Sequence, residues 1–121
     1  MKRSYKEEYQ YWLDSPALGE EEWKELSAIA DDDKEIESRF YAPLEFGTAG
    51  LRGIMATGLN RMNIHVIRWA TQAFAAVIKA EGEEACRKGV VVCYDGRLNS
   101  EKFAREAAGV MAANGIRVRI F

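Results

Sequence analysis

Cysteine, histidine and excess charge are all scarce in this 121-residue chain. Its two cysteines, Cys86 and Cys93, stand too far apart for a C-x-x-C pair, and the single histidine, His65, cannot complete a zinc site with them. Reduced thiols in a cytoplasmic protein are the reading that remains. Seventeen basic residues against nineteen acidic ones leave a formal net charge of −2. No basic surplus exists to neutralise a nucleic-acid backbone, so any anion site has to be local. No stretch approaches the roughly 18 apolar residues needed to cross a bilayer. The basic start MKRSYKEEYQ has no apolar run behind it. Neither export nor a membrane is therefore expected. What is present, 48% apolar and 30% charged residues, is the composition of a folded globular chain with room for a core.

Residues 1–40 read as an acidic helical arm. Tyr5, Tyr9, Trp12 and Leu13 recur at helical spacing until Ser15-Pro16 breaks the run. After Gly19, three glutamates suit the positive end of a second helix bearing Trp23, Leu26 and Ile29 or Ala30. DDDKEIESRF supplies a third through Ile36 and Phe40. Trp12 and Trp23 fall on the apolar stripes and are read as packing residues, not as a sugar platform.

Residues 41–121 read as an α/β domain. Asn63 suits the cap of a helix whose stripe is Ile64, Ile67, Ala70, Phe74, Val77 and Ile78, ending near Gly82. His65 lies in its first turn as a surface or partly buried side chain. GVVVCYD, 89–95, is the kind of β-branched run that is buried on both faces of a sheet. Ser100 is expected to cap a helix with Phe103, Ala107, Val110 and Met111 on its inner face; Asn114-Gly115 supplies a left-handed stop. IRVRIF then alternates as a strand does. Strand, helix and strand within about 30 residues make a βαβ unit with parallel strands.

Glycine, by contrast, is concentrated: four of the ten fall within LEFGTAGLRGIMATG, residues 44–58. Gly47, Gly50 and Gly53 free the backbone for positive φ and for close approach of N–H groups to a ligand. Such N–H groups can form an anion nest, and Thr48 adds a hydroxyl. Arg52 adds a planar fork that grips a phosphate with two bonds and keeps its charge. Spacing alone leaves a second reading open, a glycine-rich turn with Arg52 paired to an acid such as Glu45. The stretch matches neither G-x-G-x-x-G nor the P-loop pattern. Asp95 and Arg97 lie just past the carboxyl end of the buried strand, where α/β ligand sites gather. They read either as a cleft edge or as an Asp-Gly turn with a capping or salt-bridge role. Arg61 and Asn63 in NRMN are read as structural.

Three ordered motifs, GTAGLRG, NRMN and YDGR, with the acidic arm and its Arg39-Phe40 pair, resemble the first domain of the α-D-phosphohexomutases, and within them the phosphoglucomutase/phosphomannomutase branch that includes phosphopentomutase-like members. The resemblance implies a four-domain enzyme built on a three-layer mixed or parallel sheet flanked by helices. It also implies a phosphoserine that exchanges phosphoryl groups with a phosphosugar through a bisphosphate intermediate, so that hexose 1-phosphate and 6-phosphate interconvert. Further implied are a magnesium ion held by a D-x-D-x-D loop of another domain and a glucose 1,6-bisphosphate-type activator. The GTAGLRG arginine of that family lands on Arg52 as the residue contacting phosphoserine and phosphate, with Thr48 and Gly50 lining the same site. The family's T-A-S-H-N-P serine loop and metal loop do not occur in these 121 residues. The expectation is therefore a truncated first domain without mutase activity of its own, which associates with itself through an open sheet edge. The alternative is a standalone phosphate-binding or oligomerisation module.

Overall fold

The computed structural model describes residues 2–48 and 50–121. They form two compact units, Met1–Asn63 and Ile64–Phe121.

The first unit is built on three short helices, each with a local reason to start. In α1, Tyr5–Leu13, Ser4 Oγ accepts the Glu7 N–H (3.2 Å) while Glu7 Oε1 accepts the Ser4 N–H (3.0 Å), a reciprocal cap. In α2, Glu20–Ser27, Glu22 reaches back to the Gly19 N–H (3.0 Å). In α3, Asp33–Phe40, the Asp32 carboxylate accepts the Glu35 N–H (3.2 Å). All three helices lie where the apolar spacing puts them. Their inner faces bring Tyr9, Leu26, Ile36 and Phe40 into one core, flanked by Trp12, Leu13, Leu18 and Ile29. Tyr9 and Trp12 meet the Phe40 ring edge-on at 5.7 and 5.6 Å, and the Tyr9 hydroxyl donates to the Leu26 carbonyl (2.6 Å). Trp23, expected to pack, is instead half exposed, because the α2 face that meets the core is the one bearing Leu26. Residues 41–63 gather with the arm: Leu59 packs on its core, and the Arg39 carbonyl accepts the Asn60 N–H (2.7 Å).

The first unit also holds two short strands, β1 (Phe46–Gly47) and β2 (Gly50–Leu51); the second holds α4 (Ile64–Ala80), α5 (Glu83–Lys88), β3 (Val90–Val92), α6 (Ser100–Ala113) and β4 (Val118–Ile120). As the βαβ reading requires, β3 and β4 are parallel, with Val90 opposite Val118 and Val92 opposite Ile120. Gly115, at φ +77°, supplies the expected stop after α6. The fold is thus mixed α/β, with two two-stranded sheets among the described residues.

Three local expectations are corrected. Val91 is 58% exposed, so the valine run is not buried on both faces: only the Val90 and Val118 side joins the core of Ala75, Met111 and Ile116. On α4 the buried positions are Val66 and Ala75, while Phe74 and Val77 point outward. The helix is apolar on most of its surface, and α6, whose buried residues are Ala104, Ala108 and Met111, lies against it. Ser100 is the first residue of α6 and not its cap; Asn99 holds the cap position at φ +66°, and Ser100 Oγ accepts the Asp95 N–H instead (3.1 Å). A short helix that the sequence reading did not address, α5, forms between Gly82 and Gly89.

Candidate phosphate-binding site

The glycine-rich stretch folds as a small hairpin. Phe46–Gly47 (β1) and Gly50–Leu51 (β2) pair antiparallel, with Phe46 opposite Leu51 and Gly47 opposite Gly50. Gly50 takes φ +106°, a conformation that side chains other than glycine rarely adopt. Thr48 is exposed at the tip, next to Ala49, which lies outside the described residues. Arg52 follows β2 directly and is exposed. Among the described residues it makes no ion pair or hydrogen bond, and Glu45, the acid considered for it, is not its partner. The stretch is therefore a turn, with its arginine exposed.

Arg61, by contrast, is committed. Arg61 is buried and donates to the Ser38 carbonyl (3.2 Å), the Asn60 carbonyl (3.0 Å) and Ser38 Oγ (2.9 Å). Asn63, immediately before α4, donates its amide hydrogens to the carbonyls of Ala56 (2.9 Å) and Gly58 (2.8 Å). Both residues serve the fold, as read from sequence. His65 is half buried in the first turn of α4.

Asp95 and Arg97 lie in the second unit, past the carboxyl end of β3, and pair with each other. Arg97 donates through Nε (2.8 Å) and its backbone N–H (3.0 Å) to the two Asp95 oxygens. That Arg97 bond is the main reason the Asp95 carboxyl is held below the usual aspartate range. An open groove at the amino ends of β3 and β4 is lined by Lys79, Cys86, Arg87, Asn114 and Arg117. Its Arg87 is already paired with Glu84. Among the described residues, no three of His, Cys, Asp or Glu gather to hold a metal ion, and no helix is long and apolar enough to cross a membrane.

A network that sequence reading missed joins the helical arm to residue 57. Glu25 Oε2 accepts from Arg39 Nη1 (2.5 Å) and from the Thr57 N–H (2.7 Å), and Arg39 Nε donates to Glu35 (2.9 Å). Burial works against the Glu25 charge, but the Thr57 N–H and the Arg39 guanidinium outweigh it and lower its pKa. The Glu35–Arg39 part was available as an i, i+4 pair of opposite charge. Nothing local announces Glu25.

With this geometry, the comparisons place the chain in a family. Residues 43–121 match the α/β/α domain I of the phosphoglucomutase/phosphomannomutase family, and the chain belongs to it. It is similar to a phosphopentomutase of Homo sapiens, 38% identical over 119 residues, covering 91% of this chain and 19% of that protein. A phosphoribomutase of Saccharomyces cerevisiae is 34% identical over 97 residues, 78% of this chain and 15% of that protein. A phosphoglucomutase of Staphylococcus saprophyticus is 33% identical over 84 residues, 69% of this chain and 15% of that protein. The chain thus spans about a fifth of the length of the relatives it matches over most of its residues. No solved structure matches it.

Proposed function

We propose that the hairpin of this chain is the phosphate-gripping loop of a cytoplasmic phosphosugar mutase. In that reaction a phosphoserine gives its phosphoryl group to a sugar phosphate, the bisphosphate reorients, and the serine takes back the other phosphoryl group. Interconversion of hexose 1-phosphate and 6-phosphate is the overall result. Relatives named phosphopentomutase and phosphoribomutase favour a pentose phosphate as a second substrate class. Arg52 supplies a fixed positive charge and two parallel N–H donors to the transferring phosphate, with Thr48 and the Gly50 backbone beside it. Phosphoryl transfer depends chiefly on such positioning and charge stabilisation. A magnesium ion would supply further charge neutralisation, but the described residues form no set that fits it, and no step is assigned to it.

The observation that carries the reading is an exposed arginine that pairs with no other described residue, on a glycine-built hairpin, in a chain of this family. Its test is the melting temperature of the pure chain with glucose 1,6-bisphosphate or sulfate. A ligand that binds only the folded state at a hundredfold excess over Kd adds about 2.7 kcal/mol, a shift of several degrees. The shift is expected for the wild type and not for Arg52→Ala; equal shifts in both would refute the assignment. Because the sequence contains no T-A-S-H-N-P serine loop, the chain alone is expected to show no turnover of glucose 1-phosphate in a coupled assay.

A further inference from the structure

Both feet of the Arg52 hairpin are tied to one short segment. Leading in, the carbonyls of Ala42 and Pro43 accept from the Asn60 side-chain amide (2.9 and 3.4 Å). Leading out, the Ile54 carbonyl accepts the Met62 N–H (2.8 Å), and Met55 bridges Met62 in parallel. Gly53, next to Arg52, lies so close to Leu44 that a Cβ would stand 2.8 Å from Leu44 Cδ1. Residues 60–62 therefore set where the hairpin begins and ends.

That segment is in turn held on the helical arm. Glu25 of α2 bridges Arg39 of α3 and the Thr57 N–H, Arg39 Nη1 also donates to the Thr57 carbonyl (3.1 Å), and the Arg39 carbonyl takes the Asn60 N–H (2.7 Å). Gly58, at φ +143°, lies flat against Arg39; a Cβ there would come within 2.9 Å of the Arg39 Cβ. The Arg39 side chain is 13% exposed and that of Glu25 41%, so the arginine end of the pair is largely buried and the carboxylate end is open to solvent.

We infer that Glu25 and Arg39 are positioning residues for Arg52: their ion pair clamps residues 57–60 to the arm, and residues 60–62 then fix both feet of the loop that presents the guanidinium. A loop ordered before its ligand arrives loses less entropy on binding and holds its donors where the phosphate needs them. The inference rests on the phosphate-binding reading of Arg52, and extends the phosphate site to a helical arm that does not itself touch the ligand.

The test uses the 121-residue chain and sulfate as the probe, with the amide and Arg52 Nε–H signals followed by NMR. Glu25→Gln, and independently Arg39→Lys, which keeps the charge but cannot bridge Glu25, Glu35 and the Thr57 carbonyl together, should bind sulfate at least about threefold more weakly, with the signals of Gly50 to Ile54 displaced. Leu13→Ala, which loosens the arm core without touching the clamp, should bind as the wild type does. Wild-type affinity and unmoved Gly50 to Ile54 signals in both clamp variants would overturn the inference, as would an equal loss in Leu13→Ala. If the wild type binds no sulfate, the phosphate reading falls. The clamp is then judged by the Gly50 to Ile54 signals alone: displaced in Glu25→Gln they uphold it, unmoved they overturn it.

Discussion

Gly89 joins α5 to β3 at φ +79°, and a Cβ added there would collide with the Arg117 carbonyl, against which the chain turns. Gly109, inside α6, has open space where its Cβ would be. The same substitution should therefore have opposite signs. Gly89→Ala is expected to cost more than about 2 kcal/mol, and Gly109→Ala to add about 0.5–1 kcal/mol, in urea unfolding midpoints. Glu25 carries a prediction in pH. Its folded-state pKa is lowered, so its contribution to stability is present above the unfolded value of about 4.3 and is lost as pH falls through the lower folded value. The difference in melting temperature between wild type and Glu25→Gln should be largest near neutral pH and shrink below about pH 4.3. A difference that grows on acidification would contradict the clamp's charge state. Arg52 itself was legible as a fixed cation among glycines. That Glu45 would leave it unpaired was not, since spacing cannot say which way two exposed side chains turn.

At the scale of elements, the arm was the most legible part. Its helices carry their own punctuation, the Ser15-Pro16 break after α1 and the Asp32 cap that starts α3, and an apolar stripe that only one face can bury. Phe40 is the centre of that packing, and Phe40→Ala should cost about 3–5 kcal/mol in thermal or denaturant unfolding. The βαβ order was legible for the same reason: Gly115 ends α6, and a β-branched run lies on either side. Where a helix is apolar almost all round, as α4 is, periodicity could not choose the inward face; that choice came from tertiary packing, which sets Ala75 against Met111 and Ile116. Val91 could not be read either, because a continuous valine run looks the same whether one face or two are covered. Glu25 was invisible because its partners are brought to it only by the tertiary fold.

For the whole molecule, family membership is carried by residues 43–121, whereas the Glu25–Arg39 pair lies before them. The two-stranded β3–β4 sheet leaves Val91 and Phe121 exposed. Unpaired strand edges beside apolar side chains favour pairing with a second copy. A sedimentation coefficient that rises with protein concentration is expected, and a constant monomer value would argue against it. The central claim, that the Gly47 to Arg52 hairpin takes a phosphate, is tested most directly by titrating the isotope-labelled chain with glucose 1,6-bisphosphate and following every assigned amide. Saturable displacement of the Gly47, Thr48, Gly50 and Arg52 signals, absent in Arg52→Ala, is the predicted result. Displacement confined to the groove at Lys79, Arg87 and Arg117, or none at all, would contradict it.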